Sequence, residues 1–361
     1  MCLVLSLPSF AQDEPKNDYK IQIALLLDVS GSMGGLVNQA KGQFWRMVNE
    51  LSKVEKKGEK VTLQIALGSF GNSDFEENGF FKLHTPLTTD LDLLSEQLFI
   101  LEIGGSEEYC GYAIQTALDS LDWSANEQDL KIIFIAGNES FSSGTVSYSN
   151  ACKQASKRHI IINTIYCGTE QAGIDDLWAD GAKRGKGKYL TISQDSAAKL
   201  TETLWDKKII RYSAQLNGTY VPFGKDGEKL IKRQIRQDEN ALLLGNAFLR
   251  DRVMFKISKH YHNASWDLVD AYTQDSLILQ KLEPDDFPVH LKAMTRTQKH
   301  TYLQQKQVER ELYKEGAAVY CEKAKEHLAI TTGITGLTLT LDNTIIDTIK
   351  EQGMNSGFEF K

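Results

Sequence analysis

Short, unbroken apolar runs alternate with stretches of helical spacing along the first 210 residues. Ile23 to Leu27 is the first run, and its length suits a strand buried on both faces of a sheet. A helical pattern follows from Leu36 to Val54. Val61–Gly68 and Phe80–Thr85 read as strands, Leu91–Leu101 as a helix, and a further helix opens near Gly111 and runs to about Leu121. Lys131–Ala136 is the next buried strand, then helix Ala151–Arg158, strand Ile160–Gly168, helix Ile174–Ala182 and strand Lys188–Ile192. Ser196–Ile210 closes the series as a helix, with Ser193 or Ser196 as its cap. Strands alternating with helices predict an α/β fold, a doubly wound and mostly parallel sheet flanked by helices.

Past Ile210 the pattern changes to a helix-rich region. Gln215–Gly224 holds a turn signal and a short strand-like piece, and Lys229 to about His260 is helical in character. Ser265–Ala271 looks like a capped helix start, and Glu283–Pro288 a loop, because each proline disfavours helix at the residue before it. Thr301–Leu328 is a long, charged helix with Val308, Leu312 and Val319 on one face. Thr338–Leu341 alternates like a strand. The expected division is a leader at 1–18, one domain at 19–210 and a helix-rich region at 211–361.

Composition narrows the class. The chain has 361 residues, 41% hydrophobic and 25% charged, with a net charge of −7. A mildly acidic surface argues against nucleic acid as the main partner. Met1–Gln12 is apolar, Ser9-x-Ala11 fits a small-x-small cleavage site, and the chain turns polar at Asp13. This resembles a secretory signal peptide without a basic n-region, and it predicts export to the periplasm or beyond. The alternative is a short apolar N-terminal strand. No later stretch reaches the roughly 18 apolar residues of a membrane span. Export would permit disulfides among Cys110, Cys152, Cys167 and Cys321; buried free thiols are the other reading.

The candidate chemistry sits where the first apolar run ends. Asp28, Ser30 and Ser32 alternate with Val29 and Gly31, before Gly34 and Gly35. One carboxylate and two hydroxyls at a strand's carboxyl end form a hard, all-oxygen cluster suited to Mg²⁺. The other reading is that a serine caps the next helix.

Asp28-Val29-Ser30-Gly31-Ser32 resembles the Asp-x-Ser-x-Ser signature of von Willebrand factor type A domains, the first loop of their metal-ion-dependent adhesion site. The resemblance covers about Tyr19 to Ile210 and suggests an exported bacterial type. It implies that both serines ligate the metal, that Asp28 does so directly or through water, and that a partner's carboxylate completes the shell. Counting back from Gly111, it places Ser106 at the second-loop threonine position. Glu107 and Glu108 follow, read as favourable charge at a helix N-terminus or as extra negative charge beside the metal. The pattern departs at the third loop. Gly137 stands where the family has an Asp, so Asn138 or Glu139 would supply that oxygen. The implied metal set is Asp28, Ser30, Ser32, Ser106 and Glu139, holding Mg²⁺ with Mn²⁺ or Ca²⁺ as alternatives.

The resulting expectation is a non-enzymatic, protein-binding or adhesion-type module that uses the cation to grip an acidic group of a protein partner. The alternative is a metal-independent scaffold in a cell-envelope complex that binds through its C-terminal helices. Three enzyme patterns fail. Asp28 lacks the Asp-x-Asp partner of aspartate-based phosphatases, Ser32 lacks a Gly-x-Ser-x-Gly elbow, and Lys183–Lys188 lacks the Gly-Lys-Ser/Thr ending of a P-loop.

Overall fold

The computed structural model describes residues 18–193, 200–332 and 341–360. Strand β1 (Lys20–Asp28) leads into helix α1 (Gly34–Leu51). Two short strands, β2 (Glu55–Lys56) and β3 (Glu59–Lys60), precede β4 (Thr62–Phe70). A 3-10 segment (Ser73–Asn78) leads to β5 (Phe81–Thr88), α2 (Leu91–Phe99) and α3 (Cys110–Ser120). Then come β6 (Leu130–Gly137), α4 (Tyr148–Lys157), β7 (Ile161–Tyr166), α5 (Glu170–Asp175), α6 (Trp178–Arg184) and β8 (Lys186–Thr191). The main sheet has the order β5-β4-β1-β6-β7-β8. Every pairing is parallel except β4 with β5. This is the doubly wound, mostly parallel sheet that the apolar runs predict.

The central strands are the most apolar ones for a physical reason. Helices cover both faces of a parallel sheet, so neither face of a middle strand meets water. All eight residues of β6 are buried. The exception inside β1 is Gln22, whose amide donates to Gln64 Oε1 (2.8 Å) while its oxygen accepts from Ser124 N (2.7 Å). One apolar cluster lies under α1 and α2, and a second under α3, α4 and α6.

The helix-rich part comprises α7 (Asp206–Asn217), α8 (Gly227–Leu244), α9 (Asn246–Ile257), α10 (Leu268–Gln274), α11 (Ile278–Lys281), α12 (Val289–Lys292), α13 (Arg296–Thr332) and α14 (Leu341–Asn355). A last strand, β9 (Phe358–Glu359), pairs antiparallel with β2. The chain crosses position 210 inside α7, and residues 341–360 return to the sheet half. The α14 N-terminus docks on α1, where buried Gln39 and Gln43 accept from the backbone N–H groups of Leu341 (3.2 Å) and Asp342 (2.8 Å). Deeper in the junction, Arg252 is fully buried and pairs with Asp92 of α2 (2.7 Å) and Asp238 of α8 (3.1 Å). Lys256 adds a third arm to Asp238 at 2.5 Å.

Several expectations need correction. The helical stretch 229–260 is two helices, because Gly245 at φ 137° breaks it. The stretch 174–182 is also two, with Leu177 in the left-handed region at the break. The closing helix begins at Asp206, not Ser196; Ser196 lies outside the described residues, and no side chain caps α7. Positions 338–340 of the expected strand are also outside them, and Leu341 begins a helix. Val308, Leu312 and Val319 share a face of α13 as expected, and that face is open to solvent. The buried stripe of the same helix is Leu303, Arg310, Ala317, Cys321 and Ala324. Small residues there let α7 and α9 approach closely. The leader at 1–18 is outside the described residues except Asp18, which accepts from Thr62 Oγ1 (2.9 Å). The four described cysteines are buried free thiols. No described helix is long and apolar enough to cross a membrane.

Candidate metal centre

The chain runs from β1 out to β4 and β5, then returns to β6 on the other side of β1. The crevice between the carboxyl ends of β1 and β6 is therefore the switch point of the sheet, where open α/β folds place ligands. Asp28 ends β1 and Gly137 ends β6. Asp28 is fully buried, and its Oδ1 accepts from Ser30 N (2.7 Å). The backbone N–H of Asn138 also donates to its carboxylate.

Neighbouring loops close over this carboxylate through two glycines. Gly71 (φ 95°) and Gly105 (φ 93°) both occupy the left-handed region. A Cβ on Gly71 would stand 2.8 Å from Asp28 Oδ1, and one on Gly105 would collide with the Gly71 carbonyl. Gly31 N donates to Gly105 O (3.1 Å), and Gly104 N to Val29 O (2.9 Å), stitching the first loop to the second.

Ser30 and Ser32 do not cap α1. Met33 occupies the cap position, and no side chain bonds the first turn. Their hydroxyls lie 3.4 Å apart, and the Asn138 amide reaches Ser32 Oγ with its nitrogen at 3.2 Å. Both serines thus face the strand-end crevice, as a ligand role requires and a capping role does not.

The member outside the implied metal set is Glu108, one of the two acids that could place extra negative charge beside the metal. It is only 3% exposed, and its carboxyl lies against Asp28 and Ser30. Burial, then the hydrogen-bonding contact with Asp28 and the Asp28 charge, push the Glu108 carboxyl well above the ordinary carboxylate range. Burial raises Asp28 as well. Asp28 Oδ2 and Glu108 Oε2 are buried with no hydrogen-bond donor. Two touching carboxylates with orphaned oxygens call for a proton or a cation between them.

The remaining predicted ligands, Ser106 and Glu139, are exposed, as Ser32 is. The Glu139 carboxylate still acts electrostatically on Glu108, and its carbonyl accepts from the buried Trp178 indole (2.7 Å), which holds the third loop in place. The structure brings Asp28, Ser30, Ser32, Asn138 and Glu108 into contact with one another, and Ser106 and Glu139 are exposed on the loops that carry Glu108 and Asn138. Counting back from Gly111 singled out the hydroxyl at 106. The legible signal for Glu108 was its place in the same glycine-led loop, two residues later.

The fit to a cation can be judged from the donors. Among the described residues, no group of three or more His, Cys, Asp or Glu side chains forms a metal cluster. The strand-end set is instead two carboxylates and two hydroxyls, an oxygen-only set. Such donors suit Mg²⁺, Mn²⁺ or Ca²⁺, which bind through one or two carboxylates and retain waters.

No family model matches the chain, and no curated protein does. Solved structures do. BatB from Bacteroides thetaiotaomicron is 18% identical over 49% of this chain and 93% of its own, with a TM-score of 0.39. The SpRpn10 VWA domain is 16% identical over 49% of this chain and 89% of its own, with a TM-score of 0.36. Proximal thread matrix protein 1 from the mussel byssus, a structure with a zinc-occupied MIDAS motif, is 16% identical over 50% of this chain and 43% of its own, with a TM-score of 0.37. The architecture of this chain rests on its own strand order. The sheet half of this chain is similar to von Willebrand factor type A domain structures.

Proposed function

We propose that this chain is an exported protein-binding module whose strand-end crevice holds a divalent cation through Asp28, Glu108, Ser30 and Ser32. The observation that carries the reading is the pair of orphaned, buried oxygens, Asp28 Oδ2 and Glu108 Oε2, on two touching carboxylates. A cation would satisfy both, and the hydroxyls of Ser30 and Ser32 lie beside them. The role is binding, not turnover. The crevice presents carboxylates that would be engaged by the cation, and leaves no free base among them. Calorimetric titration of Mg²⁺, then Mn²⁺, into the protein tests this. About one equivalent should bind, and Asp28→Ala should abolish the heat. No heat and no thermal stabilisation at millimolar cation would sink the reading.

A second reading is favoured by one observation. On α13, Val308 is 70% exposed and Leu312 61% exposed, so this helix presents apolar side chains to solvent. A metal-independent scaffold would bind through that face. Binding of a partner unchanged by chelator, but lost in Val308→Glu/Leu312→Glu, would select it.

A further inference from the structure

A cavity of about 180 Å³ opens where the two halves of the chain meet. The sheet half supplies residues 89–92, at the start of α2. The helix half supplies Leu230 and Arg233 of α8, Phe255 of α9 and the loop after it, including Trp266. Junctions between packed units are a preferred place for small-molecule sites. At ~30 Å³ per water the cavity has room for about six waters, less than a drug-sized site. It lies away from the strand-end crevice, because β5 runs antiparallel to β4 and ends beside Ile65, not beside Phe70.

Both carboxylates in the lining are already engaged. Asp92 pairs with Arg252 at 2.7 Å, and its Oδ2 accepts from Tyr261 OH (2.6 Å). Asp90 Oδ1 caps α2 by accepting from Leu93 N (2.9 Å), and its Oδ2 pairs with Arg233 Nη2 (3.1 Å). The Arg233 side chain is only 10% exposed, and among the described residues its guanidinium bonds Asp90 alone. A guanidinium has more N–H donors than one such bond uses. Arg233 therefore lines the cavity with donors to spare. The surrounding charge is positive as well. Lys60 and Lys259 both act on the His260 ring, which lines the same cavity, and neither lysine has an ion-pair partner among the described residues. Burial, then these two charges, push the His260 ring down to about 4, so it adds no charge near neutral pH. Asn263, also in the lining, has an amide nitrogen buried without an acceptor.

We propose that this cavity binds a small organic carboxylate, its acid group on the spare Arg233 donors and its apolar body against Phe255 and Trp266. Two features choose the anion. The acids of the lining have partners, so none is left to receive a cationic head. The spare donors belong to a guanidinium, whose planar fork matches a carboxylate and is filled less well by a neutral hydroxyl. The inference is independent of the cation reading, since no residue of the crevice takes part.

Benzoate, benzyl alcohol and benzylamine test it, because they share one ring and differ in the head group. Each is titrated into the full chain without added divalent cation, and binding is followed by ligand-observed NMR. Benzoate should bind about 10-fold or more tighter than either of the others, since charge-assisted bonds are about twice as strong as neutral ones. Arg233→Gln keeps a donor for Asp90 and removes the fork, so it should erase that preference. Arg233→Lys keeps the charge and loses the fork, and should weaken benzoate by about 10-fold. It decides the matter if circular dichroism shows that Arg233→Gln does not fold. Three ligands bound equally, or benzylamine bound best, would overturn the proposal. So would benzoate that fails to bind at millimolar concentration, or that binds the folded Arg233 variant as tightly as the parent.

Discussion

Gly137 and Asp28 share a space that admits no further side chain: a Cβ on Gly137 would lie 2.9 Å from Asp28 Oδ2 and 3.1 Å from the Trp178 ring. The family pattern has an Asp at this position, so the substitution looks at first like a lost ligand. The geometry argues differently. The volume that an Asp would need is taken up by the Asp28 carboxylate and the Trp178 indole, and the second carboxylate comes from Glu108. Gly137→Asp should therefore lower cation affinity and stability instead of restoring a site. Crowding of this kind costs about 1–3 kcal/mol. Calorimetry with Mg²⁺ and thermal unfolding of the variant check it; a gain in affinity would refute it.

Glu108→Gln separates metal-bound from metal-free behaviour. Without cation, the substitution removes one of two touching buried carboxylates, so the melting temperature in chelator should rise or hold. With cation, the stabilisation that Mg²⁺ gives the parent chain should shrink, because stabilisation by a ligand follows its affinity. Melting curves with chelator and with excess Mg²⁺ provide both readings. A variant stabilised by Mg²⁺ as strongly as the parent would remove Glu108 from the ligand set.

Arg252 joins the two halves of the chain. Its guanidinium is fully buried, pairs with Asp92 and Asp238, and stacks 4.2 Å from the Trp45 ring of α1. Arg252→Ala leaves the buried Asp92 without its cation and Asp238 with Lys256 alone, a loss of about 3–5 kcal/mol. Denaturant unfolding should show a lower midpoint. An unchanged midpoint would mean that the network relaxes to solvent.

The α14 cap depends on side chains of another helix. Gln43→Leu removes the acceptor for the Asp342 N–H and leaves that donor buried, at a cost of about 1–3 kcal/mol. Hydrogen exchange should rise first in residues 341–360. Uniform protection across that segment would show that α14 is held by its apolar face alone.

His84 predicts an acid-sensitive limb. Its ring meets Ser69 Oγ at 2.7 Å, and burial, then the Lys82 charge, pull its pKa down to about 4. The unfolded chain takes up this proton near pH 6.5, whereas the folded chain resists it until about pH 4. The stability present above pH 6.5 is therefore lost progressively as pH falls towards 4. His84→Gln, which does not titrate, should flatten the melting-temperature profile in that window. Parallel profiles for variant and parent would show that the ring is protonated freely in the fold.

What could be read from local sequence followed from local physics. Ile23–Leu27 and Lys131–Ala136 had to be central strands, because an uninterrupted apolar run of that length is stable only when both faces are covered. Asp28, Ser30 and Ser32 stand together because they are neighbours on one turn, so their oxygens converge wherever the rest of the chain goes. The alternation of runs and helical spacings then leaves a doubly wound sheet as its packing. Tertiary structure decided what depends on distant residues. Glu108 became buried against Asp28 only because two loops, closed by Gly71 and Gly105, bring residues 80 positions apart into contact. Gln39 and Gln43 look like polar interruptions on the apolar face of α1 until α14 arrives with unpaired N–H groups. The apolar positions Val308, Leu312 and Val319 share one face of α13, and that face stays in solvent. Close approach by α7 and α9 instead chose the face bearing Ala317, Cys321 and Ala324, since small side chains let helix backbones approach and large ones hold them apart.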